Sequence, residues 1–239
     1  MNEEKFSGKA DLYEMSRPSY AGEAIDLIKS NIPAGSRIAD IGAGTGIFTR
    51  QLVSAGFEVC AAEPNADMRE RLVNCGAEVV CASAENTGLP EKSFALVTAA
   101  QAFHWFDGEK FRNECRRILE DGGKVLLLWN NEDKAAPIIN DINEVCRSFC
   151  TQYKPRAEFR NELDEDGFFA EYKIYNFRND LILDRERFIA NRMSRSHAPQ
   201  RGDSNYTEME SALSRLFDKH SSNGTVTIPN ITTCYLGTV

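Results

Sequence analysis

Residues 37–63 read RIADIGAGTGIFTRQLVSAGFEVCAAE, and this stretch decides the predicted fold. An apolar run at 38–41 fits a buried strand, and the glycine-rich segment at 42–46 ends it. From Ile47 apolar residues recur at helical spacing until Gly56 stops the helix. The order of these patterns predicts a strand, a tight turn and a helix.

A second predicted strand, Glu58–Ala62, completes a strand–helix–strand unit and is followed directly by an acid, Glu63. The glycines at 42–46 permit positive φ angles and let the backbone approach a ligand without an intervening Cβ. In open α/β sheets, ligands bind at the carboxyl ends of the parallel strands. Glu63 lies about 20 residues beyond Gly42, so its carboxylate can reach that edge and accept hydrogen bonds from ribose hydroxyls. The stretch therefore predicts a site for a nucleotide-like ligand.

Two ligand classes compete for such a glycine loop. Dinucleotide-binding folds use the spacing G-x-G-x-x-G, whereas here the third glycine, Gly46, comes one place early and Ile47 occupies the dinucleotide position. An acid, Asp40, also stands two residues before the first glycine. The arrangement acid-x-G-x-G-x-G, with Glu63 downstream, resembles the cofactor loop of class I S-adenosylmethionine-dependent methyltransferases.

A second motif follows the predicted fourth strand, Phe94–Ala100. The segment QAFHWFD at 101–107 resembles the same position in the methyltransferase-11-like group, which includes trans-aconitate-methylating relatives. In class I methyltransferases the carboxyl end of strand four faces the transferred methyl group, so the resemblance implies catalytic roles for His104 and Trp105. His104 is the candidate base or orienting donor, and Trp105 and Phe106 would shape the acceptor pocket. The alternative is that His104 is structural, as a lone histidine often is.

Two shorter patterns extend the resemblance. An N-terminal Y-x-x-x-R-P-x-Y pattern is similar to a segment that many small-molecule methyltransferases fold over the cofactor, so Tyr13 and Arg17 would close one wall of the pocket. The alternative is that Pro18 merely starts a helix and the tyrosines pack on the sheet edge. A later A-E-x-x-x-L-P pattern implies that Ala84 and Glu85 border the adenine, with an ordinary turn as the alternative.

The resemblance implies S-adenosyl-L-methionine as the cofactor, lying across the ends of strands one, two and four. The glycine loop would approach its amino-acid and ribose parts, the acid after strand two would bind the ribose, and the residue after strand four would lie by the sulfonium. The predicted cofactor-binding residues are Tyr13, Arg17, Gly42, Ala43, Gly44, Thr45, Gly46, Glu63, Pro64, Met68, Ala84, Glu85, Gln101 and Ala102. No metal site is predicted.

The resemblance covers nearly the whole chain and implies an α/β, Rossmann-like, doubly wound sheet of seven strands in the order 3-2-1-4-5-7-6. Strand 7 would be antiparallel, and a helical lid would be added to the sheet. Local patterns predict the remaining strands at 78–82, 124–131, 168–177 and 224–237, and further helices at 21–31, 66–75, 108–119 and 206–219. We expect one methyltransferase domain, 1–239, with an N-terminal cap (1–35), a cofactor-binding core (36–131), a helical lid insertion (132–170) and C-terminal strands and helices that complete the sheet (171–239).

The composition and net charge of the chain limit the classes of partner that this domain is expected to bind. The chain has 239 residues, of which 42% are hydrophobic and 27% charged, which suits one globular domain of ordinary composition. The net charge is −8, from 28 basic and 36 acidic residues, and no long Lys/Arg run occurs. Because binding to double-stranded nucleic acid needs a basic face, we expect a small-molecule acceptor and no double-stranded nucleic acid.

Cysteine usage and apolar runs bear on the compartment. The seven cysteines are odd in number and irregularly spaced, which favours free thiols in a reducing compartment. Cys146 and Cys150 could share a helical face, but two ligands do not make a zinc site. The start of the chain has no apolar signal-peptide core, and the apolar stretch at 94–106 is too short to span a bilayer. We therefore expect a cytoplasmic protein that does not bind the membrane.

The predicted function is in-line methyl transfer from S-adenosylmethionine to a small molecule. A carboxylic acid is the candidate acceptor, because a guanidinium group pairs bidentately with a carboxylate. Arg17, Arg192 and Arg195 are candidates for that contact, and the alternative is that they are solvated surface arginines. Two other functions stay open: a catalytically silent cofactor-binding or interaction protein on the same fold, and, less favoured by the glycine spacing, an NAD-dependent oxidoreductase.

Overall fold

A seven-stranded sheet carries the chain's glycine loop at one edge of its parallel strands. The computed structural model describes residues 19–150, 167–195 and 197–239, so the predicted cofactor residues Tyr13 and Arg17 lie outside the described residues. The strands are β1 (Arg37–Ile41), β2 (Glu58–Ala62), β3 (Glu78–Val80), β4 (Phe94–Ala100), β5 (Leu119–Glu132), β6 (Glu171–Arg178), β7 (Leu181–Leu183), β8 (Val226–Ile228) and β9 (Asn230–Thr238).

The helices connect these strands in the alternating pattern that a parallel sheet needs. Asn65, Asp107 and Asp184 cap three of them by accepting the amide hydrogen of the residue three positions on, at 3.0, 3.2 and 2.9 Å. The described helices are α1 (Gly22–Asn31), α2 (Ile47–Ser54), α3 (Ala66–Arg71), α4 (Gly108–Ile118), α5 (Pro137–Phe149), α6 (Arg185–Met193) and α7 (Tyr206–His220), with a short 3₁₀ turn at Phe103–Trp105.

The strand order of the large sheet is β3-β2-β1-β4-β5-β9-β6. Neighbours from β3 to β5 are parallel, and β9 pairs antiparallel with both β5 and β6. This order confirms the predicted Rossmann-like sheet, with β9 as the antiparallel strand that the sequence analysis numbers 7. The carboxyl ends of β1, β2 and β4 consequently lie side by side at one edge.

The strand predicted over 224–237 is wrong as one element, because the chain leaves one sheet for another at Pro229. Proline has no amide hydrogen and interrupts a ladder of hydrogen bonds. Before it, β8 pairs with β7 in a separate two-stranded sheet, and after it β9 enters the large sheet. The carbonyl of Pro229 accepts a hydrogen bond from the amide of Asp133 at 2.9 Å, which fixes the crossing point against the end of β5.

Two other boundaries differ from the predictions by four residues or more. Helix α3 ends at Arg71 rather than at 75, because the chain turns through Asn74, whose φ is +66°. Strand β5 begins at Leu119 rather than at 124 and absorbs the predicted glycine reversal as an irregularity in its pairing with β4. The predicted turn residue Gly122 lies there with a φ of +81°.

Both faces of the large sheet are covered by apolar side chains. Along β5, Val125 and Leu127 belong to one hydrophobic cluster, whereas Leu126 and Leu128 belong to the cluster on the opposite face. A strand buried on both faces must be apolar throughout, and this explains the continuous hydrophobic run that the sequence shows here. Among the largest fully buried side chains, Phe48 belongs to one of these clusters and Phe94 and Phe111 belong to the other.

A third hydrophobic cluster joins α5, α6, α7 and the two-stranded sheet of β7 and β8. Helix α5 is the described part of the predicted lid, 132–170, and it contributes Ile138, Ile139 and Ile142 to this cluster. Its role as a lid stays a prediction. No helix in the described ranges combines the length and apolar character that a membrane span requires.

Candidate functional site

A cavity of about 340 Å³ opens at the carboxyl ends of β1, β2 and β4, where the sequence predicts the ligand. Most of the predicted site residues line it. They are Gly42, Ala43, Gly44, Thr45, Glu63, Pro64, Met68, Ala84, Glu85, Gln101, Ala102 and Trp105. Gly46 and His104 are not among the residues that line the cavity.

The glycines of the loop serve different purposes. Gly42 has a φ of +68°, and a Cβ built on it would lie 2.7 Å from the Cβ of Ala102, so the loop and the end of β4 can approach only because this residue is glycine. Gly46, with a φ of +84°, begins α2, and a Cβ there would lie 2.6 Å from Leu72 Cδ2. Gly44 differs: it lines the cavity, and a Cβ there would meet no protein atom within 4 Å.

Glu63 links the end of β2 to the glycine loop. Its Oε2 accepts a hydrogen bond from the amide of Gly44 at 2.8 Å, and its Oε1 accepts one from the amide of Asn65 at 2.9 Å. The residue is only 7% exposed. These two contacts fix the orientation of the carboxylate at the cavity wall. The arrangement suits recognition of a pair of hydroxyl groups at the cavity.

Asp40, the acid before the glycines, is buried beneath the loop and does not line the cavity. Its carboxylate accepts hydrogen bonds from Thr49 Oγ1 at 2.6 Å and from Thr98 Oγ1 at 2.8 Å. These contacts connect β1, α2 and β4, so Asp40 positions the loop rather than binding a ligand. Burial raises the pKa of Asp40 to about 6; the two hydroxyl hydrogen bonds oppose this effect and the negative charge of Glu63 adds to it.

The raised pKa of Asp40 predicts a pH-dependent stability. The folded protein binds the Asp40 proton more tightly than the unfolded chain, so this stabilisation is complete below about pH 3.8 and is lost as the pH rises through about 6. The difference between the two pKa values corresponds to roughly 3 kcal/mol. We expect that, between pH 4 and pH 7, the free energy of unfolding of the wild type falls by about that amount relative to Asp40→Asn.

Urea unfolding of both proteins across this pH range measures the effect. Asp26→Asn, on an exposed position of α1, is the matched control and should follow the wild-type curve. Parallel pH curves for the wild type and Asp40→Asn would contradict the buried carboxyl's role.

Gln101 turns the chain at the end of β4. Its φ is +56°, a conformation that non-glycine residues adopt rarely. Two hydrogen bonds to β5 hold it there: its amide donates to the carbonyl of Leu128 at 2.9 Å, and its Nε2 donates to the carbonyl of Asn130 at 3.1 Å. This turn directs the following aromatic residues toward the cavity.

The two predicted catalytic residues occupy different positions. Trp105 lines the cavity and is 36% exposed, and Phe106 lines it as well. The ring of His104 packs on the ring of Trp105 with centroids 4.8 Å apart, without lining the cavity itself. The catalytic role of His104 therefore stays a prediction, whereas Trp105 is in place to contact a ligand.

Hydrogen bonds to α4 and to the residue before it fix the loop that carries Ala84 and Glu85. Glu85 Oε1 accepts a hydrogen bond from the amide of Asp107 at 3.0 Å, which joins the cavity wall to the start of α4. Farther along the loop, the amide of Thr87 donates to Glu114 Oε1 at 2.8 Å. The same segment therefore forms a turn and contributes Ala84 and Glu85 to the wall of the cavity.

Several lining residues were not predicted as part of the site. They are Tyr20, Ile47, Phe48, Asn65, Ser83 and Ala100. Asn65 could have been found, because it follows Glu63 and Pro64 and has the residue type of a helix cap. The apolar members carry no local signal beyond that of ordinary core residues.

The side chain of Asn130 forms hydrogen bonds to three separate segments of the chain. Its Oδ1 accepts hydrogen bonds from Thr232 Oγ1 at 2.5 Å and from Asn179 Nδ2 at 3.1 Å, and its Nδ2 donates to the carbonyl of Ser19 at 3.3 Å. The side chain thereby joins the ends of β5, β6 and β9 to the chain segment before α1.

The candidate carboxylate-binding arginines of α6 and the turn after it face an internal acid. Arg192 Nη1 lies 2.8 Å from Glu132 Oε1, and Arg195 forms a second ion pair with the same oxygen. Burial acts to raise the pKa of Glu132, but the positive charges of Arg192 and Arg195 outweigh it and lower the pKa to about 2. The surface interpretation is wrong for Arg192, whose side chain is 2% exposed.

A doubly wound sheet with a glycine loop after its first strand, an acid after its second and a cavity between them defines the cofactor-binding fold of class I methyltransferases. Residues 39–127 match the sequence profile of a family described as "Methyltransferase domain". These residues, from β1 into β5, are therefore similar to a methyltransferase domain.

Relatives agree with this assignment. "Uncharacterized methyltransferase Rv3342" of Mycobacterium tuberculosis is 36% identical over 143 residues, which cover 59% of this chain and 58% of the relative. The match thus spans less than two thirds of the relative's length. A solved structure of a candidate type II methyltransferase from Anaeromyxobacter dehalogenans is similar to this chain with a TM-score of 0.64 and 22% identity, over 92% of this chain and 95% of that one.

A further solved structure has a similar fold. Haemonchus contortus phosphoethanolamine N-methyltransferase 2, in complex with S-adenosyl-L-methionine, is similar with a TM-score of 0.54 and 17% identity, over 97% of this chain and 56% of that one. At this identity the likeness shows the shared fold.

The cavity fits this cofactor on two observations. The open space above Gly44 would be partly filled by any larger side chain, so the glycine leaves room for a ligand. Thr45 Oγ1 is buried at the cavity and has no hydrogen-bond partner among the described residues. Since a buried hydroxyl without a partner is unfavourable, a polar ligand group in the cavity would satisfy it.

Proposed function

We propose that this protein transfers the methyl group of S-adenosylmethionine to a small-molecule acceptor. The observation that carries the proposal is the pairing, in one cavity, of the open Gly44 backbone with the oriented carboxylate of Glu63. The similarity of residues 39–127 to a methyltransferase domain supports the same reaction.

When bound, the cofactor would supply a methyl group activated by its positively charged sulfur, with the neutral thioether of S-adenosylhomocysteine as the leaving group. The protein's part is alignment and exclusion of water, which can lower a barrier by roughly 7–11 kcal/mol. Glu63 would hold the ribose hydroxyls, and Thr45 would hydrogen-bond a polar group near the loop. Gln101 would lie by the sulfur, where its two contacts to β5 keep it in place.

The acceptor would approach from the side of Trp105 and Phe106, which line the same cavity. We propose a carboxylic acid as the acceptor class, which rests on the resemblance to trans-aconitate-methylating relatives. A carboxylate oxygen needs no deprotonation before it attacks, so such an acceptor requires no general base. His104, packed on Trp105, would then orient the aromatic wall, and it would act as a base only for an acceptor that carries a proton.

The proposal also covers the lid, the domain bounds and the location of the protein. Residues 132–170 would act as a lid over the acceptor, within a single domain that spans 1–239. The seven free thiols suit a reducing compartment, so we propose the cytoplasm as the location.

Calorimetric titration with S-adenosylmethionine, S-adenosylhomocysteine and NADH tests the cofactor. We expect micromolar binding of the first two and no heat with NADH. Release of S-adenosylhomocysteine, followed while small carboxylic acids are screened, then tests turnover. Binding of NADH alone would overturn the proposal, and cofactor binding without turnover on any acceptor class would favour a catalytically silent binding protein.

A further inference from the structure

Three sulfur and nitrogen ligand atoms converge outside the cofactor cavity, at the third hydrophobic cluster. The thiols of Cys146 and Cys150, at the end of α5, and the imidazole of His197, in the turn after α6, have ligand atoms that all lie within 4.8 Å of one another. Both cysteines are buried and His197 is half-buried. The sequence offers only the i, i+4 cysteine pair, and the fold adds the histidine from 47 residues farther along.

A fourth soft atom lies beside this group. The Sδ of Met209, a fully buried residue of α7, is 3.9 Å from Cys150 Sγ. Thiolate, thioether and imidazole are ligands that select Zn²⁺ and Cu⁺, whereas Mg²⁺ and Ca²⁺ take oxygen ligands. The composition of the cluster therefore points to a thiophilic ion and against a hard one.

We propose that Cys146, Cys150 and His197 bind one thiophilic metal ion, Zn²⁺ or Cu⁺, with Met209 as a neighbouring sulfur. This site is separate from the proposed cofactor cavity and does not depend on it.

The distances permit such a site with small movements. Sulfur ligands about 2.3 Å from a tetrahedral zinc ion lie about 3.8 Å from one another. The Cys150–Met209 spacing of 3.9 Å already has this value, and the 4.8 Å limit of the three main ligand atoms requires contraction by at most about 1 Å. Rotation of two cysteine side chains and one imidazole ring on separate elements is sufficient for such a change.

Both cysteines of the cluster are buried. Two thiolates in an apolar cluster would leave uncompensated negative charge, and a metal cation would neutralise it.

The proposed ion would connect elements that are distant in sequence. It would tie the end of α5 to the turn after α6, and through Met209 it would lie against α7. These three helices build the cluster that packs beside the end of β5, where Glu132 pairs with Arg192. Metal binding should therefore stabilise this part of the molecule without changing the cofactor contacts.

Titration of the reduced, chelator-treated protein with Co²⁺, followed by Zn²⁺, tests the site. We expect one equivalent of Co²⁺ to produce a thiolate-to-cobalt charge-transfer absorption that Zn²⁺ removes. At a free Zn²⁺ concentration 100 times the Kd, the Tm should rise by roughly 5–10 °C. A parallel anaerobic titration with Cu⁺ against a chelating dye determines which of the two ions binds more tightly.

Cys146→Ser and His197→Gln should each remove the cobalt absorption and the rise in Tm. Each should also weaken metal binding by at least roughly 100-fold, whereas substitution of a residue that only supports the ligands typically costs about 10–100-fold. Cys81→Ser, at an exposed thiol, is the control and should bind as the wild type does. If Cys146→Ser does not fold, His197→Gln decides alone, since its ring is half-buried. Absence of binding by all three ions, or binding that His197→Gln leaves unchanged, would overturn the proposal. S-adenosylmethionine titration of the same variants should be unaltered, which separates this proposal from the proposed function.

Discussion

Replacement of Glu63 by alanine should weaken the binding of S-adenosylmethionine by roughly 100-fold or more while the protein stays folded. The substitution removes the carboxylate that we assign to the ribose hydroxyls and the two hydrogen bonds that orient Gly44 and Asn65. Hydrogen bonds to a charged group contribute about 1.5–3 kcal/mol each. The loss of two ribose contacts therefore predicts an increase in Kd of roughly 100-fold or more, measurable by calorimetric titration.

Two further variants separate the ribose contact from loop disorder. Glu63→Gln keeps one oxygen acceptor and the side-chain shape, so its Kd should lie between those of the wild type and Glu63→Ala. Glu58→Ala, at the exposed start of β2, should bind the cofactor normally. If Glu63→Ala retained wild-type affinity with a native circular dichroism spectrum, the assignment of Glu63 to the ribose would be wrong.

Replacement of Gly237 by alanine should destabilise the sheet more than any other single methyl group we consider. A Cβ on Gly237 would lie 2.6 Å from Tyr172 Cβ and 2.8 Å from Tyr172 Cα, and closer still to the carbonyl oxygen of Glu171. These atoms belong to the paired strand β6 and cannot move aside without breaking its ladder with β9. We expect a loss of more than about 3 kcal/mol, and thus a fall in Tm of at least roughly 6 °C or failure to fold.

Thermal unfolding followed by circular dichroism measures this loss. Gly22→Ala is the matched control, because a Cβ there meets no atom within 4 Å and the residue is helical. This variant should be as stable as the wild type or more stable by up to about 1 kcal/mol. A Tm of Gly237→Ala within experimental error of the wild type would contradict the pairing of β6 with β9.

The parts of the fold that the sequence predicts are those with local signals. Strands β1 and β2 and helix α2 follow from residues that are neighbours in the chain, and their observed bounds lie within a residue or two of the predicted ones. The sequence does not predict the division into β8 and β9 at Pro229, because the β-branched residues on both sides of this proline favour one continuous strand. Which partner each half takes depends on β7 and β5, which are far away in sequence.

The candidate site also contains some features that the sequence predicts and others that it does not. The glycine loop, Glu63 and Trp105 were found because family motifs place them in one crevice. The partners of Asp40 were not predicted, since Thr49 and Thr98 are ordinary residues until the fold brings their hydroxyls within 2.8 Å of its carboxylate. Ion pairs and metal-ligand sets assembled from distant segments leave no spacing pattern that a single sequence can show.

The position of β9 inside the sheet has a consequence for protein synthesis. Among the described strands β6 pairs only with β9, and about 50 residues separate the end of β6 at Arg178 from the start of β9 at Asn230. At translation rates of about 5–20 residues per second, β6 leaves the ribosome roughly 3–10 s before its partner. During that interval strands β1 to β5 can already pair with one another. Strands β5 and β6 still lack β9, which pairs with both of them, so each exposes an open edge. A chaperone or a neighbouring nascent chain would meet those edges first.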